Sequence, residues 1–270
     1  MAFIDCEAIS AKILEDVNGG SLAVLRNYDD PSGISYVRQL IKIARKINIE
    51  IIEVDYGSHW LPDSVTRLIE EYNNSQVSGI LVVSPQPQHY ECLNRIDPTK
   101  RVEGSDFDDD INRISCTARA CVYIVEAFTS LKNKNALIIG YGKAVGKPLS
   151  YLLMRKHLSS VTSTHAYTPV KDIFEKHIPA ADIIFSAVGQ KHFIKGDYAD
   201  KIFIDAGISI DQGKVWGDLD PSLANKNDIT PVPGGVGTVT TALLLKNVSL
   251  TAEKNEGVKN EISNRWIQRL

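Results

Sequence analysis

With 270 residues, 43% hydrophobic and 23% charged, the chain has the length for one large or two ordinary globular domains and is not a disordered protein. A formal net charge of −3 offers no basic face for nucleic acid or an anionic membrane, and no apolar stretch approaches membrane-spanning length. Four cysteines without a C-x-x-C pair (Cys6, Cys92, Cys116, Cys121) suggest neither a disulfide framework nor a zinc site, so the expectation is a cytoplasmic protein with reduced thiols and no metal.

In chain order, residues 7–17 show helical periodicity (Ile9, Ile13, Leu14, Val17) that stops at Gly19-Gly20, and Ser21–Leu25 reads as a strand. The loop Asp29-Asp-Pro-Ser-Gly33 leads into a predicted helix over 34–47, with Val37, Leu40, Ile41 and Ala44 on one face. Glu50–Val54 follows as a strand, 62–73 as a helix and Gly79–Val83 as a strand ending in Ser84-Pro-Gln-Pro87. This β-α-β-α-β series predicts a parallel, right-handed unit whose ligand crevice lies at the carboxyl ends of its strands. Val83, Ser84 and Gln86 are therefore pocket candidates, although a proline loop without chemistry produces the same pattern. The acidic run Glu103-Gly-Ser-Asp-Phe-Asp108-Asp-Asp110 lacks calcium-loop spacing and reads as a solvated junction between domains.

A helix over 117–130 introduces Asn135-Ala-Leu-Ile-Ile-Gly140-Tyr-Gly142-Lys-Ala-Val-Gly146-Lys-Pro148, a buried strand broken by closely spaced glycines before a second helix. Such a turn admits a pyrophosphate to the N–H groups at the helix start; glycines of this kind also serve plain helix–sheet packing. Strands at 160–164, 182–189 and 201–207, with a helix near 169–177, complete a Rossmann-like series. The second of its strands ends in Thr164-His165 with no carboxylate for ribose, so NAD and NADP both stay open. Thr230-Pro-Val-Pro-Gly-Gly-Val-Gly237 has two prolines and three glycines within seven residues, a constrained path directly before a helix. The tail from about 252 is polar and helical, with Trp266 expected to dock on the first domain.

The order of these segments resembles the methylenetetrahydrofolate dehydrogenase/methenyltetrahydrofolate cyclohydrolase family over nearly the whole chain. The matches are Asp29-Asp-Pro with Tyr36-Val-Arg, Gly79-Ile-Leu-Val with Pro85-x-Pro87, Lys100 with Gly104, Cys116-Thr117, Val145-Gly-Lys-Pro148, Ala181-Asp-Ile with Ala187-Val-Gly189, Asp205-x-Gly207-Ile, Gly217-Asp218, and the Thr230–Gly237 loop. The resemblance implies two α/β domains around a cleft, the second a Rossmann-like dinucleotide-binding domain, usually as a homodimer. The expected boundaries are 1–118 with 245–270 for the folate-type domain and 119–244 for the NAD(P)-binding domain. It further implies a folate-type substrate against Tyr36, Val83, Ser84, Pro85, Glu103, Pro233, Gly234 and Gly235, with Tyr36 and Glu103 as candidate catalytic residues. NADP or NAD would meet Gly140, Tyr141, Gly142, Lys143, Val145, Gly146, His165, Ala187, Val188, Gly189, Ile208, Gly237 and Thr241.

The chain departs from the family pattern where that pattern has a catalytic lysine four residues after the tyrosine, because it has Leu40. Lys42 sits about 200° further round a helix, on another face. Val83 replaces an expected glutamine, Glu103 an aspartate, and Tyr141-Gly142 an arginine and a serine whose fork would suit a 2′-phosphate. Three readings follow. One is a methylenetetrahydrofolate dehydrogenase without cyclohydrolase activity, the second a dehydrogenase of the same fold acting on a non-folate small molecule, and the third a catalytically silent cofactor-binding homologue.

Overall fold

The structure, a computed structural model, describes residues 2–29, 31–56, 62–84, 90–104 and 114–267, with the backbone alone at 31, 32, 35, 62, 90 and 255–267. Pro85, Gln86, Pro87, the acidic run 106–110 and the side chain of Trp266 lie outside the described residues. The chain forms two compact units, a larger one of Met1–Ile13 with Ser105–Leu243 and a smaller one of Leu14–Gly104 with Leu244–Leu270. The contact-based division thus places 1–13 with the larger unit, where the sequence reading has them in the folate-type domain.

The smaller unit is built on three parallel strands, β1 (Ser21–Arg26), β2 (Glu50–Asp55) and β3 (Gly79–Val82), in the order β2-β1-β3. Central β1 buries Leu22, Ala23, Val24 and Leu25 completely, as a strand covered on both faces must. The crossover from β1 to β2 runs one way across the sheet and that from β2 to β3 runs back. Two right-handed crossovers then place helices α2 (Pro31–Ala44) and α3 (Pro62–Asn73) on opposite faces. Val65 and Ile69 of α3 join Ala23, Leu25, Ile80 and Val82 in one apolar cluster, so Leu22, Val24 and Arg26 belong to the α2 face. Val37, Leu40 and Ala44 form the buried stripe of α2, with Arg38 and Gln39 exposed.

Strand β3 stops at Val82, one residue short of the expected end, because Ser84 turns into the left-handed region at φ 50. Lys100, 8% exposed, ends the following loop by donating to the carbonyls of Tyr72, Asn73 and Ser75 at 2.8, 2.7 and 2.6 Å. It thereby satisfies the last carbonyls of α3, and burial holds its pKa below the usual lysine value.

In the larger unit five parallel strands run in the order β10-β7-β6-β4-β5: β4 (Asn135–Ile139), β5 (Ser160–Thr164), β6 (Ile183–Ser186), β7 (Ile202–Asp205) and β10 (Asp228–Ile229). Helix α5 (Cys116–Phe128) precedes β4, its start capped by Ser115, and α6 (Gly146–Met154) links β4 to β5. The core gathers Leu137, Ile139, Ile184 and Phe203 from the sheet with Ile173 and Ile178 from the helical segment over 170–180. Between 208 and 229 the sequence reading contains no strand. The structure adds a hairpin, β8 (Ser209–Asp211) with β9 (Lys214–Trp216), turned at Gln212 and Gly213 with φ 50 and 74, and the two-residue β10.

The chain start extends this sheet. Phe3 bridges in parallel to Ile229, the Ile4 N–H donates to the Ile229 carbonyl at 2.8 Å, and the Ile229 N–H to the Ala2 carbonyl at 3.1 Å. The last helix, α9 (Val236–Ile267), runs from the larger into the smaller unit, where Asn247 donates to the Val102 carbonyl and Ser249 to that of Asn18. All four cysteines are free and buried, and among the described residues no helix is long and apolar enough to cross a membrane.

Candidate active site

Because the five strands of the larger unit's main sheet are parallel, their carboxyl ends share one edge. The order reverses between β4 and β6, since β4 leads to β5 on one side and β6 to β7 on the other, which makes this edge a topological switch point. Gly140, Tyr141, Gly142 and Lys143 follow β4, His165 follows β5, Ala187, Val188 and Gly189 follow β6, and Ile208 follows β7. The structure therefore gathers these residues on one edge.

The glycine turn resolves into two kinds of position. Gly140 lies at φ 99, and a Cβ there would strike the Ala187 carbonyl, so the turn closes against the loop after β6. A Cβ on Gly146 would strike the Gly140 carbonyl, which folds the turn tightly onto the first residue of α6. Gly142 has nothing within 4 Å of where a Cβ would stand, and it is exposed beside Tyr141 and Lys143. Two of the glycines thus answer to packing within the chain, and the third leaves open space. Val145, at the start of α6, provides no side-chain cap, and in the first turn the Lys147 N–H donates to the Gly142 carbonyl at 3.0 Å, so the turn's own backbone covers part of that helix end.

Two buried carboxylates organise the neighbouring loops. Asp205, 3% exposed at the end of β7, accepts N–H bonds from Gly207, Asp218 and Leu219 at 3.0, 3.1 and 2.9 Å. Burial, and secondarily the Asp218 charge, push its carboxyl up to about 7 against the pull of those three donors. Asp218, fully buried, accepts from the Ser186 hydroxyl and from the Val188 and Gln190 N–H groups, each at 2.7 Å. Sequence reading notes both aspartates only as parts of family motifs; a lone acidic residue closing the apolar run Ile202–Asp205 is the local signal of the first.

Other expected cofactor positions differ in what they can offer. Tyr141 and Ile208 are 46% and 60% exposed and Gly237 lies in open space. His165 is exposed, and its Nδ1 accepts the Tyr167 N–H at 3.1 Å, which leaves the proton of the neutral ring on Nε2. Thr241 is 1% exposed and its hydroxyl donates to the Gly237 carbonyl at 3.0 Å, holding the first turn of α9. A helix start without a side-chain cap, an open glycine and exposed loop ends fit a dinucleotide along this edge.

In the smaller unit, Tyr36 is half-buried on α2 and Leu40, one turn on, is completely buried. Val83 is 5% exposed, its N–H donating to the Leu25 carbonyl at 2.9 Å and its carbonyl accepting the Tyr56 hydroxyl at 3.3 Å; Ser84 beside it is exposed. Glu103 is half-buried just after Arg101 pairs in parallel with Ile80. Pro233, Gly234 and Gly235 belong to the larger unit; Val232–Pro233 is cis, Gly234 stands at φ 96, and a Cβ on Gly235 would strike the Pro231 carbonyl.

Arg26 goes unremarked in the sequence reading. It closes β1 on the α2 face, bonds Glu53 through Nε and Nη2 at 2.9 and 2.6 Å, and stacks 3.9 Å over the Tyr28 ring. Its buried Nη1 has no partner among the described residues. A charged residue ending an otherwise apolar run, Ser21–Arg26, is the signal that exposes it.

A profile described as tetrahydrofolate dehydrogenase/cyclohydrolase, NAD(P)-binding domain, matches residues 115–256, and the catalytic-domain profile of the same name matches residues 4–103. The bifunctional protein FolD of Thermotoga sp. (strain RQ2) is 34% identical over 277 aligned residues, covering 93% of this chain and 98% of its own length. Among solved structures, the bifunctional FolD methylenetetrahydrofolate dehydrogenase/cyclohydrolase of Campylobacter jejuni superposes with a TM-score of 0.82 at 28% identity, covering 94% of this chain and 99% of its own. The Trypanosoma brucei methylenetetrahydrofolate dehydrogenase-cyclohydrolase, solved with NADP cofactor and an inhibitor, gives 0.82 at 26% identity, covering 95% and 97%.

Proposed function

The chain belongs to the tetrahydrofolate dehydrogenase/cyclohydrolase family, and from that premise we propose that it is an NAD(P)-dependent methylenetetrahydrofolate dehydrogenase, a homodimer, that has lost cyclohydrolase activity. Leu40 carries this reading: it is 0% exposed and has no group that can move a proton. Opening a methenyl cation with water depends on proton transfers, and losing a positioned acid or base costs roughly 10²- to 10⁴-fold. Hydride transfer from a methylene group depends mainly on holding two rings together.

In this proposal the smaller unit holds the folate through Tyr36, Val83, Ser84, Pro85 and Glu103. The larger unit holds NAD or NADP along the edge formed by Gly140–Gly146, His165, Ala187–Gly189, Ile208, Gly237 and Thr241. Bound there, nicotinamide supplies a two-electron hydride acceptor. The turn and the start of α6 would receive the dinucleotide's phosphates, and Lys143 would provide the point charge that stands in for a fork-shaped arginine.

The test is a pair of assays on one preparation. Methylenetetrahydrofolate should reduce NAD or NADP while methenyltetrahydrofolate hydrolysis stays at the uncatalysed rate. Hydrolysis as fast as reduction overturns the proposal. Partial recovery of hydrolysis in Leu40→Lys would show that the surrounding site is intact. A second reading, a dehydrogenase of a non-folate small molecule, draws on Val83, apolar where the family pattern has a glutamine, and on the buried Arg26 Nη1 without a partner among the described residues; it expects nicotinamide binding without folate turnover. A silent homologue would turn over neither.

A further inference from the structure

The loop after β6 turns two alternate N–H groups, Val188 and Gln190, inward, with Gly189 between them in the left-handed region at φ 75. Two N–H groups converging this way form the kind of concavity in which a backbone nest binds an anion. Here the anion belongs to the chain: Asp218 fills the concavity and also takes the Ser186 hydroxyl, all three bonds being 2.7 Å long. The residues so held are not core residues, because Ala187 and Val188 are half-buried and Gly189 and Gln190 exposed.

Asp218 is itself gripped. The Asp205 carboxylate accepts the N–H of Asp218 and that of Leu219, fixing the backbone on both sides of the aspartate's Cα. The glycines complete the interlock. A Cβ on Gly207 would collide with the Asp218 carboxyl, and a Cβ on Gly217 with that of Asp205. The outcome is a mechanical series from β7 through Asp205, Asp218 and the loop 186–190 to the Ala187 carbonyl, against which Gly140 closes.

We infer that Asp218 is a positioning residue for the nicotinamide cofactor: without touching it, Asp218 holds the loop after β6 in the path that lets the glycine turn close beside it. This rests on the reading of the larger unit as the NAD(P) site. Replacing one carboxylate oxygen by an amide NH₂ sets a donor against a donor, so at least one of the three bonds is lost in Asp218→Asn. The closed loop then becomes a fraction of the population, and apparent affinity falls by that fraction.

The experiment measures NAD and NADP binding calorimetrically on the full chain, with thermal unfolding and amide exchange followed on the same samples. Asp218→Asn should weaken the preferred cofactor about tenfold or more and speed exchange of the Val188 and Gln190 amides. Asn227→Ala removes an equally buried side chain that bonds Tyr198, Leu223 and Lys201 in the same unit, and it should lower the melting temperature with cofactor affinity unchanged. Should Asp218→Asn fail to fold, Ser186→Ala removes one donor, with a smaller loss of affinity expected. Unchanged affinity in the folded variants, or loss in proportion to stability alone, overturns the positioning role. A wild-type chain that binds neither NAD nor NADP overturns the nicotinamide reading first, and the positioning role with it.

Discussion

Asp205 brings a titration into the neutral range, and its direction has a consequence for stability. Its folded pKa of about 7 lies above the ordinary carboxyl value of 3.8, so the native state binds this proton more tightly than the unfolded chain. The contribution is therefore fully present below about pH 4 and is lost as pH rises through 7, with a slope of up to ~1.4 kcal/mol per pH unit in between. Urea unfolding of the wild type between pH 5 and 8 should show this decline, and Asp205→Asn should flatten it. Parallel pH curves for the two proteins would remove Asp205 as the cause. Arg26 offers a second lesson at this scale. Its Glu53 bond and Tyr28 stack account for two faces of the guanidinium and leave Nη1 without a partner among the described residues, a buried polar atom at the carboxyl end of β1.

At the scale of elements, the glycine turn separates geometry from recognition. Gly140→Ala and Gly146→Ala should each destabilise the protein by about 2 kcal/mol or more, since each brings a Cβ onto backbone, and Gly140 also has a left-handed φ. Gly142→Ala meets nothing and should stay within about 0.5 kcal/mol. Chemical unfolding of the three variants checks this; equal losses would mean that the turn rearranges as a whole. The element order was legible because buried parallel strands are near-continuous apolar runs, and Ala136–Ile139 and Ile202–Ile204 read that way without help. The hairpin β8–β9 and the two-residue β10 are not legible, because Ser209–Asp211 and Lys214–Trp216 are three residues each, largely exposed, and too short to set up a periodicity. The carboxylate pair escaped for another reason: its partners lie up to 32 residues away, beyond any local pattern. The departure at position 40, by contrast, is visible only against the family pattern, which has a lysine four residues after the tyrosine; helical geometry adds that Lys42 lies on another face, and the buried stripe of α2 through Leu40 agrees.

For the whole molecule, the division into units does not follow the order of the chain. The larger unit's sheet accepts residues 2–4 at its β10 edge, where Ile4 is 4% exposed and two backbone bonds join it and Ala2 to Ile229. Removing the first four residues should cost about 3–5 kcal/mol, from one buried isoleucine and two backbone hydrogen bonds. Thermal unfolding of the shortened chain tests the figure; a melting temperature equal to that of the full chain would show that the edge strand adds nothing.

That same pairing bears on how the protein is made. Ala2 and Asp228 are joined across 226 positions, so residues 2–4 can find their place in the sheet only after the ribosome has passed residue 229. During that interval Phe3 and Ile4 travel as an apolar segment with no sheet to join, and the contact with the longest loop to close forms last. The larger unit is incomplete until residues up to Leu243 have been made and the smaller until those after it, so neither is a finished module while residues 1–243 are being synthesised.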